Sequence, residues 1–250
     1  MIKGGQRIAT ATGVMLADPH GLGNAHEGAG ESLFNAGESL FDPKHWTARG
    51  ELAAVPGGRG SAWFVGPAGQ PLVLRHYRRG GFIARLSRDR YWWMGEEKVR
   101  AFAEWRLLQY LTERGLRVPK PVAAWYQRAG MTYCCDLITQ RIEDTQSLSA
   151  ALALGDLPDT TWRAVGAAIA RLHSYGVDHA DLNAHNILLE GKQGISVIDF
   201  DRGRLRGPGA WTSRNLRRLR RSLAKISVSL PPSRFTPAAW NHVLAGYQAG

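Results

Sequence analysis

His179-Ala180-Asp181-Leu182-Asn183-Ala184-His185-Asn186 runs into the apolar stretch Ile187-Leu188-Leu189. After Gly194 a second apolar stretch, Ile195-Ser196-Val197-Ile198, delivers Asp199-Phe200-Asp201. Two short apolar runs around a glycine-containing turn predict a β-hairpin. An acid, an amide five residues later and a second acid thirteen after that therefore sit around one hairpin. Alone, an aspartate or asparagine beside a turn is usually a cap or turn residue. The joint spacing is far more specific.

The chemistry open to this trio is narrow. A carboxylate at Asp181, on a loop after a helix, can accept a hydrogen bond from a hydroxyl and orient it towards a phosphorus atom. The amide oxygen of Asn186 can be offered to magnesium. Asp199, at the end of an apolar strand, can bridge a metal and phosphates.

Upstream of the hairpin, residues 158–175 predict a helix with Val165, Ala168, Ile169 and Leu172 on one face and Gly176 at its end. Downstream, the spacing of Leu216, Leu219, Leu223 and Ile226 is helical, and a last helix is predicted over 237–247. Towards the N-terminus, 96–114 predicts a helix stopped by Gly115. Strands are predicted over 122–126 and 131–140, joined at Arg128-Ala129-Gly130. Gly57-Gly58-Arg59-Gly60 precedes the run Ala62-Trp63-Phe64-Val65, a turn follows at 67–70, and 71–77 reads as another strand. Trp63 and Phe64 read as packing residues.

Strands, helix and strands followed by mostly helices predict an α+β, two-lobed chain. Residues 1–40 read as an N-terminal extension expected to be partly disordered, 41–142 as a small β-rich N-lobe, and 143–250 as a larger helical C-lobe. The glycine turn opens the small lobe. Backbone amides at Gly58, Gly60 and Ser61 could approach phosphate oxygens, because glycine puts no Cβ in the way. Arg75, on the next strand, could reach the same phosphates, and Glu104 on the following helix could pair with it.

The composition fits this reading. The 250 residues are 44% hydrophobic, enough for one large domain or two small lobes. No apolar run reaches the length of a membrane span, and the first fifteen residues lack the apolar core of a signal peptide. The two cysteines, Cys134 and Cys135, are strand neighbours pointing to opposite faces, so no disulfide joins them and a reducing cytosol is expected. A net charge of +11 implies an anionic partner. The arginines cluster at 75–90 and 214–221.

On Gly58-Arg59-Gly60-Ser61, Leu74-Arg75-His76-Tyr77-Arg78-Arg79-Gly80-Gly81, His179 to Asn186 and Ile198 to Gly203, the chain resembles the protein-kinase-like superfamily. Within it the likeness is to the lipopolysaccharide core kinases, in particular the 3-deoxy-D-manno-octulosonic acid (Kdo) kinases. It covers about residues 40–230, with the last two segments the most specific. The resemblance implies a protein-kinase-like bilobal fold and ATP with Mg2+ as cofactors. Asp181 becomes the catalytic aspartate, Asn186 and Asp199 the metal ligands, and Gly58, Gly60, Ser61, Arg75 and Glu104 the nucleotide-binding residues. The implied acceptor is the Kdo sugar of Kdo-lipid A precursor, at its 4-hydroxyl, and the implied place is the cytoplasmic face of the inner membrane as a peripheral protein. Arg78, Arg79 and Arg85 would then meet acceptor carboxylates and phosphates, and Tyr91-Trp92-Trp93 and the basic stretch 211–226 would meet the anionic membrane surface.

The chain departs from the general kinase pattern in three ways. Arg75 occupies the usual lysine position, the second motif reads Asp-Phe-Asp, and no Ala-Pro-Glu segment follows. The last point argues for a small or lipid-linked hydroxyl over a protein. Two alternatives stay open: a kinase of the same fold acting on a heptose, an aminoglycoside or a protein, and a non-catalytic cationic nucleic-acid-binding or pseudokinase-like protein. No nucleic-acid-binding motif is present, and no nucleic-acid partner is expected.

Overall fold

The computed structural model describes residues 5–18, 33–55, 61–67, 69–78, 89–191 and 194–250. Two compact units emerge: 1–110 with 120–141, and 111–119 with 142–250.

The first unit is built on an antiparallel sheet. In chain order its elements are β1 (Gln6–Ala9), β2 (Val14–Ala17), α1 (Pro43–Ala48), β3 (Leu52–Ala54), β4 (Ala62–Val65), β5 (Leu72–His76), β6 (Tyr91–Trp92), α2 (Arg100–Thr112), β7 (Pro121–Ala129) and β8 (Thr132–Gln140). The strands order β1-β2-β7-β8-β5-β4-β3, and β6 pairs with β8. Hairpin partners adjacent in sequence are adjacent in space, as β3/β4, β4/β5 and β7/β8 show.

Residues 6–17 show no strong period in the sequence, yet β1 and β2 extend the sheet through pairing of β2 with β7. Met15 and Ala17 are buried in the core with Trp46, Leu72, Leu74 and Ile138. Four-residue strands are too short for alternation to stand out, so tertiary pairing decides them.

Alternation sorts β5 cleanly. Leu72 and Leu74 face that core. Arg75 and the following Tyr77 face the other way, towards α2. α2 ends where Gly115 adopts φ +67, a left-handed conformation that costs glycine nothing. The Leu116 N–H then turns back to donate to the Leu111 carbonyl at 3.1 Å.

The second unit contains β9 (Thr145–Ser147), α3 (Leu148–Leu154), α4 (Asp159–Ser174), β10 (Val177–Asp178), β11 (Ile187–Glu190), β12 (Gly194–Val197), β13 (Arg204–Leu205), α5 (Trp211–Ser227) and α6 (Pro237–Ala249). β11 and β12 form the predicted hairpin, and β9 adds to its open edge. α4 and α6 pack so closely that each needs a glycine at the contact. A Cβ on Gly166 would lie 2.0 Å from the Val243 carbonyl oxygen, and one on Gly246 the same distance from that of Arg163. Among the described residues, no helix is long and apolar enough to cross a membrane.

Candidate active site

α4 stops at Gly176, whose φ of +76 sends the chain into β10 and then the loop from His179. That loop is fixed from inside by its own side chains. The Asn183 Oδ1 accepts from the N–H groups of His185 at 2.8 Å and Asn186 at 3.2 Å, closing one turn of 3-10 helix. Its amide nitrogen donates to the Asp181 carbonyl at 3.0 Å and carboxylate at 3.1 Å.

His179 ties the loop to the strand that carries Asp199. The buried ring accepts the Asp181 N–H at Nδ1 (3.2 Å) and donates from Nε2 to the Ile198 carbonyl (3.0 Å). These partners require the neutral tautomer protonated at Nε2. Burial pulls the His179 pKa below the ordinary histidine value, although the Ile198 carbonyl and the charges of Asp199 and Asp181 oppose it. Phe200, also buried, lies tilted against the imidazole with ring centroids 4.8 Å apart.

Asn186 completes the knot. Its Nδ2 donates to the Asp181 carbonyl at 2.9 Å, and its backbone carbonyl accepts the Ile198 N–H at 2.9 Å. Bonds linking 181 to 186, 186 to 198 and 198 to 179 therefore hold Asp181 and Asn186 beside Ile198, which immediately precedes Asp199. Asp199 leaves the strand at φ +63. A non-glycine residue in that region is uncommon and costs on the order of 1–2 kcal/mol. Such strain is tolerated where the surroundings fix it, and it clusters at functional sites.

Asn186 and Asp199 carry donors that suit a hard cation. With the Asn186 nitrogen committed to Asp181, Oδ1 is the atom of that side chain able to face a metal. The set is an amide oxygen and a carboxylate, the donors magnesium prefers. Among the described residues, no cluster of three or more His, Cys, Asp or Glu side chains is arranged for a metal. A site of this kind would lean on phosphate oxygens for the rest of its shell.

Helix α5 supplies a layer of contacts that sequence reasoning missed. Asn215 Oδ1 accepts the His179 N–H at 3.0 Å, and its Nδ2 donates to Asp178 at 2.9 Å. Ser222 Oγ accepts the Ala184 N–H at 3.2 Å. Between them Arg218 Nη1 donates to Asp181 Oδ1 at 3.3 Å. One signal was legible. Trp211, Asn215, Leu219 and Leu223 are the buried stripe of this helix, so Asn215 is an amide on an otherwise apolar face. A poor helix former there needs a partner.

In the first unit Arg75 and Glu104 are paired, as the sequence suggested, and Tyr77 donates its hydroxyl to the same carboxylate. The Glu104 side chain is only 3% exposed, so this is no surface charge of a helix. Ser61, next to β4, accepts the His76 N–H at its carbonyl (2.8 Å). Gly58, Gly60, Arg79 and Arg85 lie outside the described residues. Arg78 is described but has no part in these contacts. Two clefts of the second unit lie away from Asp181. One of about 550 Å³ is at 206–214, and one of about 260 Å³ has Arg117, Ala168 and Ile195 in its lining.

The model of the lipopolysaccharide kinase (Kdo/WaaP) family matches residues 43–247. A 3-deoxy-D-manno-octulosonic acid kinase of Stenotrophomonas maltophilia is 48% identical over 198 residues, 78% of each chain. The enzyme of the same description from Xylella fastidiosa is 50% identical over 187 residues, 74% of each chain. That of Xanthomonas axonopodis pv. citri is 49% identical over 199 residues, again 78% of each. With its sheet-rich first unit, its helical second unit and the Asp181–Asn186–Asp199 loop between α4 and α5, this chain belongs to the lipopolysaccharide kinase (Kdo/WaaP) family, phosphotransferases of kinase-like α+β fold.

Proposed function

We propose that this protein uses ATP and Mg2+ to phosphorylate the 4-hydroxyl of the Kdo sugar on Kdo-lipid A precursor. The observation that carries the proposal is the hydrogen-bonded knot that joins Asp181 and Asn186 to Ile198, the residue before Asp199. The relatives' names supply the substrate class.

In this reading Asp181 accepts the hydrogen bond of the acceptor hydroxyl, orients its oxygen on the γ-phosphorus and takes its proton as the new P–O bond forms. The bond between that phosphorus and the β–γ bridging oxygen breaks, and ADP leaves. Asn186 and Asp199 would hold magnesium, which supplies charge neutralisation to the phosphate oxygens. Arg75 serves as the phosphate-contacting cation, held in place by Glu104 and Tyr77. Gly58, Gly60 and Ser61 are assigned to the nucleotide, and Arg78, Arg79 and Arg85 to the acceptor's anionic groups.

The protein would work as a peripheral protein at the cytoplasmic face of the inner membrane. Support comes from the net charge of +11 and from an apolar patch where Trp92, Met94 and Met131 are 66%, 75% and 65% exposed.

Mass spectrometry of lipid acceptors incubated with the protein, ATP and Mg2+ tests the reading. The expected result is one added phosphate on the Kdo-bearing lipid and none on a heptose-only lipid or an aminoglycoside, with 31P–1H correlation placing it at position 4. Phosphate on the other acceptors but not on Kdo would refute it.

A further inference from the structure

Asn215, Arg218 and Ser222 are spaced three and then four residues apart, so they share one stripe of α5. They run along the loop in register, Asn215 at His179, Arg218 at Asp181 and Ser222 at Ala184. The outer two accept backbone N–H groups and fix where the helix stands. Arg218 differs, because it places a cation on the carboxylate assigned to proton transfer.

As a structural pair this contact is weak. It is a single bond of 3.3 Å with the two side chains 42% and 57% exposed. Asp178 shows what a structural partner looks like here. It is buried and takes Asn215, Arg206 and Arg214 together.

Resting on the reading above that the acceptor is a sugar acid, we propose that Arg218 is the residue that reads the acceptor's carboxylate. Its guanidinium leaves Asp181 for the carboxylate of the sugar ring, and Asp181 is freed for the hydroxyl. The exchange trades one long contact for a two-pronged fork, the geometry in which arginine binds carboxylates best. Specificity follows from the same side chain. A neutral sugar offers nothing to Arg218, so the cation stays on Asp181 and the acceptor is rejected.

The test uses the full chain with three acceptors: Kdo-bearing lipid A precursor, the same lipid with the Kdo carboxyl converted to a carboxamide, and the lipid stripped of its phosphates. The native protein should lose about 10- to 100-fold in kcat/KM on the carboxamide, the range of a charge-assisted hydrogen bond. Arg218→Gln keeps helix propensity and so the fold. It should lose a similar factor on the acid, mainly in KM, and treat acid and amide alike. Its response to phosphate removal should match the native protein's, and Arg218→Lys should recover part of the loss. The proposal is overturned if R218Q still prefers the acid, if its loss follows the lipid phosphates, or if only kcat falls and by the same factor on every acceptor. A native protein that transfers no phosphate to any of the three would sink the functional reading itself, a failure visible before any variant is made.

Discussion

Burial lowers the pKa of both His179 and His76, but the neighbours decide the outcome. At His179 burial wins, and the ring stays neutral as its two hydrogen bonds require. At His76 burial also pulls downward. The Asp136 hydrogen bond at 2.7 Å and the charges of Asp136 and Asp89 outweigh it and the opposing charge of Arg78, leaving the pKa raised. Asp136 itself is pushed up by burial and pulled part of the way back by His76. A histidine whose folded pKa is raised adds stability that is complete below its unfolded value near 6.5 and fades as pH climbs through the folded value. His76→Gln should therefore destabilise the protein most at pH 5.5 and least at pH 9 in denaturant unfolding. A difference that grows with pH would contradict the assignment. At this scale the sequence was legible where spacing is short and fixed. The contact between Asn186 and Asp181 read directly from its short spacing, and the pairing of Arg75 with Glu104 nearly so. Arg218 did not, because its partner lies 37 residues away across a helix whose rotation no local pattern states.

The same contrast holds for elements. α4 and α5 announce themselves by periodic apolar residues and, for α4, a terminal glycine. The edge strands β1 and β2 do not, because what makes them strands is the neighbour they pair with. β6 shows alternation resolving an aromatic cluster. Tyr91 is buried, Trp93 packs at a tilt on Tyr126 and edge-on to Tyr133, and Trp92 turns outward. Of the three aromatics read as one membrane-facing group, two are packing residues and one is free to meet lipid. Trp92→Ser should leave folding intact and weaken sedimentation with anionic vesicles by on the order of tenfold, equivalent to about 1–2 kcal/mol of apolar burial. Unchanged binding would remove β6 from the membrane surface.

Over the whole molecule, the net charge of +11 suits the acidic sugar that the relatives' names point to. The fold class was readable because strand-rich and helix-rich stretches are segregated along the chain. How the loop after α4 is braced was not, because His179, Asn183 and Asn215 act through backbone groups that any sequence possesses. In the proposed reaction Asp181 serves phosphoryl transfer from a loop whose backbone is held by His179, Asn183 and Asn215. Asp181→Asn, on an exposed side chain, should change stability by no more than about 0.5 kcal/mol. The most direct measurement is mass spectrometry of Kdo-lipid A precursor after incubation with ATP and Mg2+, native protein beside D181N. An added phosphate is expected with the native protein, abolished by chelating the metal and slowed at least about 100-fold in the folded variant. Turnover by D181N at the native rate would contradict it.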